Sequence, residues 1–173
     1  MLMGMTNLPT TLTEESNGKH ITVRDFIRSY LIGEIGEIKE KHPYFAMILI
    51  SVGIEFLGRC LSGYNWDSTA NAKFFKEGLT FDSLKRYDDD NNSLYHSLRC
   101  GLVHTFLTDD RYSLSKNTTD GNIISCSQIY DDFVKACNDL LNKNDDRLSE
   151  TFITTKITDN DSVSGSTRTI CNK

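Results

Sequence analysis

Between Tyr44 and Leu57 the chain is almost wholly apolar, broken only at Ser51, Gly53 and Glu55. The run is shorter than the ~20 residues a membrane-spanning helix needs, so it reads as a helix buried inside the protein. His42-Pro43 marks its start, because proline suits the first helical turn, where its missing N–H has no partner to lose. The helix is expected to reach about Ser62. A helix apolar around most of its circumference belongs in a core, and the flanking sequence supplies helices to cover it.

Upstream, Thr22 is placed to cap a helix running to about Glu40, with Phe26, Ile27, Tyr30, Leu31, Ile35 and Ile38 at helical spacing. Downstream, Asn65 to Asp67 form a turn, and Ser68 caps a short helix through Lys76 and Gly78. Leu84 to Tyr87 add a further turn. Asn92 then caps a helix reaching about Leu107, after the charged stretch Asp88 to Asn92. Past it the period changes. Tyr112–Ser115 and Asn122–Ile129 flank the turn formers of Asn117 to Gly121, which predicts a small β-hairpin, and a last helix spans about Tyr130 to Asn142. The expected fold is mainly α, with that hairpin inserted before the last helix. Residues 1–20 read as a flexible N-terminal segment, 21–143 as the helical domain, and 144–173 as a polar, flexible C-terminal extension.

With 173 residues, 38% of them hydrophobic, the chain can bury one core. Its net charge of −5 excludes a surface-wide nucleic-acid footprint, which is normally basic, and leaves room for a small, locally positive site. Five cysteines, odd in number and without a CxxC pair, form neither a disulfide framework nor a zinc ribbon. Reduced thiols and a cytoplasmic location are the expectation. The opening Met1-Leu-Met-Gly-Met5 lacks the positive region of a signal peptide, and no membrane association is expected. No phosphate-binding glycine loop, dinucleotide fingerprint, HExxH or GxSxG motif occurs.

The segment Ser93 to Phe106 is where chemistry concentrates. At about 100° per residue, with His96 at zero, Cys100 lies near 40°, His104 near 80° and Arg99 near 300°. Leu94, Leu98, Leu102 and Phe106 gather on the opposite side as a core face. The polar side therefore carries two imidazoles and a guanidinium beside Val103 and Leu107, a mixture suited to a groove or a second protein surface. The ladder His96, Cys100, His104 is no metal site, since its outer members are ~12 Å apart along the axis and no further ligands are in sight. Arg99 has a purely structural alternative: if this helix packs on the apolar one, it can pair with Glu55. His104 can equally be an interface or surface histidine.

Arg99-Cys-Gly-Leu-Val-His104 fits R-x4-H, and in this the chain resembles the HEPN superfamily (higher eukaryotes and prokaryotes nucleotide-binding domains). The apolar helix ending Ile54-Glu-Phe-Leu-Gly58, the aromatic short helix with Phe74 and Phe75, and Leu94-Tyr95 before the arginine extend the likeness over roughly residues 21 to 143. The resemblance implies an up-and-down helical bundle and a metal-independent endoribonuclease without cofactor, or an inactive relative serving as a dimerisation or binding module. It also implies a homodimer with motif helices facing each other, Val103 and Leu107 lying in that interface, RNA as substrate, and an antitoxin or nucleotidyltransferase as protein partner in a toxin–antitoxin or phage-defence setting. By position, His104 would be the general acid or base and Arg99 the phosphate-stabilising cation, supported by His96, Tyr95, Cys100 and Glu55. Histidine titrates near neutrality and arginine stays charged, which suits a reaction whose nucleophile is the RNA 2′-hydroxyl. Two departures stand out: Cys100 follows the arginine where a polar Asn, Asp or His is common, and Phe106 replaces a tyrosine found in the toxin branch.

Overall fold

A computed structural model describes residues 19–64, 66, 68–88, 94–102, 112–117 and 123–154. The described residues divide into two units, one of 19–21 with 151–154 and the other within 22–150. In the first, strand β1 (Lys19–Thr22) pairs with β4 (Thr151–Thr154), so ordered backbone enters both segments expected to be flexible.

The second unit is mainly α-helical, as the periodicity predicts. Helix α1 runs over 23–41, α-helical at both ends with π-helical winding across Ile27–Glu34. Thr22 caps it, its hydroxyl accepting the Asp25 N–H at 3.0 Å. Helix α2 is Pro43–Leu61 with proline in the first turn. It is long and apolar enough to cross a membrane, yet 56% of that stretch is buried within the fold, which is what a core helix requires. Helix α3 is Asn71–Gly78 and begins later than Ser68 suggests: Ala70 precedes it without a side-chain cap, while the Ser68 hydroxyl accepts the Ala70 N–H. Helix α4 is described over Tyr95–Leu102, wound as a π-helix. Its expected cap Asn92 and its expected continuation through Val103, His104 and Leu107 lie outside the described residues.

The expected hairpin is not formed. Strands β2 (Ser113–Ser115) and β3 (Ile123–Ser125) pair in parallel, Ser113 opposite Ile123. The reason lies just past β2: the Lys116 carbonyl accepts the Ser127 N–H and the Ser125 hydroxyl, and the Ser127 hydroxyl meets the Asn117 side chain. These bonds draw the chain forward along the start of helix α5 (Cys126–Leu141) instead of reversing it. Ser125 caps α5, accepting the Gln128 N–H, so the helix starts four residues before Tyr130, where the apolar spacing placed it.

The core lies between α1, α2 and α5, with α3 and α4 closing one side. Ile27, Ile50, Ile54, Phe133 and Leu98 are fully buried there. The Tyr130 hydroxyl donates to the Ile32 carbonyl, and Arg24 donates to the Leu141 carbonyl at the end of α5. Helix α3 crosses α2 where two glycines meet. A Cβ on Gly58 would collide with the Phe74 carbonyl, and one on Gly78 with the Ile54 carbonyl. The unit also extends past the expected boundary at 143. Leu148, in the 3-10 turn Asp146–Ser149, is fully buried. Tyr64, in a left-handed conformation at φ 61°, donates its hydroxyl to Asp145, and Arg147 lies over its ring.

Gly58→Ala should lower the unfolding free energy by at least about 1–3 kcal/mol, since two backbones must separate. Gly33→Ala should leave it unchanged or raise it by up to ~1 kcal/mol, its Cβ meeting only ordinary contact at 3.5 Å. Urea denaturation distinguishes the two. Burial, assisted by the nearby Asp145, pushes the Cys60 thiol up to about 12; burial pushes Cys126 to about 11 and raises Cys137 as well. These thiols keep their protons in the fold and lose them near pH ~8.5 when unfolded. Stability from them is therefore complete below about pH 8.5 and declines as pH rises above it. The urea midpoint should hold between pH 7 and 8 and drop by pH 10; a constant midpoint across that range would contradict this.

Candidate functional site

Helix α4 presents Leu94, Leu98 and Leu102 to the core, all at most 2% exposed, as the wheel predicts. Its π winding has more residues per turn than the 3.6 of an α-helix, which turns the other side chains from their expected angles. Burial, together with Cys100 five residues further on, holds the Tyr95 phenol above its ordinary pKa. The Tyr95 ring meets Phe75 of α3 edge-on, and exposed His96 stands edge-on to Tyr95. Ser97 is fully buried, whereas Cys100 is half-buried.

The pairing anticipated for Arg99 is present. Its Nε donates to Glu55 Oε2 at 2.8 Å. Glu55 sits on α2 and is only 6% exposed, a depth at which a carboxylate needs a partner. It has two, for Arg59, one turn further along α2, donates to Oε1 at 3.0 Å. Arg59 is itself tied down: it donates to Asn71 Oδ1 at 2.7 Å and to the Ser68 carbonyl at 3.0 Å, and it lies over the Phe74 ring. The close α2–α3 crossing through Gly58 and Gly78 brings Asn71 and Phe74 within reach. One carboxylate thus links α2, α3 and α4.

Two guanidiniums against one carboxylate leave a surplus of one positive charge in a chain of net −5. Arg99 is slightly the more exposed of the two, 17% of its side chain against 13% for Arg59, and among the described residues only its Nε is engaged. A guanidinium held by its Nε edge presents a pair of charged donors in a fixed plane, suited to a phosphate or carboxylate.

Of the residues singled out from sequence, Arg99, Glu55, Tyr95, His96 and Cys100 are brought to this corner, the last four around the arginine or beside it on α4. His104, Val103 and Leu107 lie outside the described residues. Arg59 and Asn71 were missed, although Glu55 and Arg59 are spaced i, i+4, the commonest helical ion-pair signal. No cluster of three or more histidine, cysteine or acidic side chains capable of holding a metal occurs among the described residues. A separate buried acid, Asp132, accepts from Arg86, Tyr87 and Lys135 and pins the 3-10 turn Lys85–Tyr87 to α5; this arrangement is structural.

No protein-family model, curated protein or solved structure matches the chain.

Removing the shared carboxylate should cost more than removing either arginine. Glu55→Leu strands two charges and should reduce stability by about 3 kcal/mol or more, while Arg99→Met, which leaves Glu55 paired to Arg59, should cost clearly less. Equal losses in chemical denaturation would contradict the shared role.

Proposed function

We propose that this chain is a metal-independent endoribonuclease of the HEPN type, folded as that family's helical bundle and acting as a homodimer in the cytoplasm. The observation that carries the reading is the fixed, half-buried Arg99, oriented by Glu55 and surplus in charge, on the segment that matches R-x4-H.

In this reading the 2′-hydroxyl of RNA attacks the adjacent phosphorus and the 5′-oxygen leaves. One His104 takes the proton from the attacking hydroxyl, and the His104 of the second subunit gives a proton to the leaving oxygen. Arg99 stabilises the charge that grows on the phosphorane oxygens. The products are a 2′,3′-cyclic phosphate and a 5′-hydroxyl. Val103 and Leu107 lie between the subunits. A toxin or defence role with a restraining antitoxin or nucleotidyltransferase partner suits such an enzyme.

A second reading, a catalytically inactive HEPN-like dimerisation or binding module, is favoured by the Arg99–Glu55 ion pair itself, which gives the arginine a structural task.

Cleavage of RNA in EDTA decides between them. The enzyme reading requires cyclic-phosphate ends, resistance of DNA, and loss of at least about a hundredfold in rate for both His104→Ala and Arg99→Ala. No cleavage by folded, dimeric protein leaves the binding module.

A further inference from the structure

The large apolar side chains that stand out to solvent among the described residues gather on α2 and the loop that follows it: Tyr44, Phe45, Leu49, Val52 and Trp66, with Phe45 54% and Val52 42% exposed. Phe45, Leu49, Val52 and the half-buried Phe56 follow a 4-3-4 spacing, which keeps them on one stripe of a helix. Beside it runs a stripe of α1 in which Tyr30, Glu34 and Ile38 recur every fourth residue. Between them lies an open groove of about 250 Å³ lined by these α1 residues and by Leu49, Val52 and Phe56. Past Ile38 and Leu49 it runs on into a second hollow of about 370 Å³ beside Phe45.

Size and charge choose the occupant. From Phe45 to Phe56 the stripe is about 17 Å long, three helical turns. Its exposed apolar area is on the order of a few hundred Å², well below the ~800 Å² per partner that a stable dimer buries. The patch is matched to one short helix rather than to a second copy of the chain. Apart from the Tyr30 hydroxyl, the polar groups of its walls are Glu34 in the first hollow and His42 in the second; Glu37 is exposed nearby on α1, and neither lysine nor arginine lines either hollow. Beside Glu34 the missing charge is positive.

We propose that this groove takes a short amphipathic helix of a partner protein, with apolar residues at i, i+4 and i+7 entering between α1 and α2 and a lysine or arginine set against Glu34. The proposal is independent of RNA cleavage and stands whichever way that assay falls.

The probe is a fluorescein-labelled leucine–lysine helical peptide of about 14 residues, ~21 Å long, titrated onto the full chain and followed by anisotropy. A leucine–glutamate peptide with the same apolar pattern serves as comparison. Saturable binding of the first is expected, weakened about tenfold or more by Leu49→Asp and by Val52→Asp and several-fold by Glu34→Gln, with the second peptide at least about tenfold weaker on the unsubstituted chain. Circular dichroism checks that each variant remains helical. Absence of saturable binding, equal binding of both peptides, or binding untouched by the two aspartates would overturn the proposal. So would a dimer that Leu49→Asp converts to monomer, which gives the groove to a second copy. Capture on phosphatidylcholine vesicles abolished by the same substitution would give it to a lipid surface and overturn the proposal as well.

Discussion

The Glu55 carboxylate, buried between Arg59 and Arg99, is the constraint on which the rest of this unit depends. An ionised carboxylate at that depth is costly without compensation, and both of its oxygens are occupied by guanidiniums at 3.0 and 2.8 Å. The compensation fixes three helices. Arg59 can reach Glu55 and Asn71 together only if α3 crosses α2 closely, which two glycines allow. Arg99 can reach Glu55 only if α4 packs its leucines onto the same pair. Packing and electrostatics therefore demand the same arrangement, and such agreement between levels is how a sequence specifies one structure.

The same arrangement generates the chemistry. Arg59 is consumed by the fold, through Asn71, the Ser68 carbonyl and the face of Phe74. Among the described residues Arg99 is oriented by a single bond, which leaves its terminal nitrogens as donors of the kind that suit an oxyanion. A small positive site on an acidic chain is thus a consequence of how the core is closed. The apolar stripe of α2 lies off to the side of this cluster: Glu55 is buried, whereas Val52, three residues earlier, faces solvent. One helix can serve the core, the charged corner and an outward groove because its residues divide among different faces.

Helices α1 and α2 were legible because their start signals are chemical and local: the Thr22 hydroxyl accepts the Asp25 N–H, and Pro43 sits where no N–H is needed. The core face of α4 was legible from Leu94, Leu98 and Leu102. So was the Arg99–Glu55 pair, which needs only that two apolar faces meet. The rest depended on contacts that spacing does not encode. The turn formers after β2 suggest a reversal, but the Lys116 carbonyl is taken by Ser127 and Ser125, and the strands run parallel. Polar residues 144–150 suggest a loose tail, but Leu148 is buried and Asp145 and Arg147 secure Tyr64. The π winding of α4 is likewise not encoded in spacing, and a wheel drawn at 100° per residue does not anticipate it.

That Glu55 holds Arg99 as part of the structure, and so prepares it for an oxyanion, is measurable in a double-mutant cycle on unfolding free energy. The cycle comprises Glu55→Gln, Arg99→Met and their combination. A coupling above about 1 kcal/mol is expected, because Arg99 has its carboxylate only while Glu55 is present and Glu55 loses one of its two guanidiniums with Arg99. Additivity within about 0.5 kcal/mol would mean that the two side chains do not depend on each other, and would contradict it.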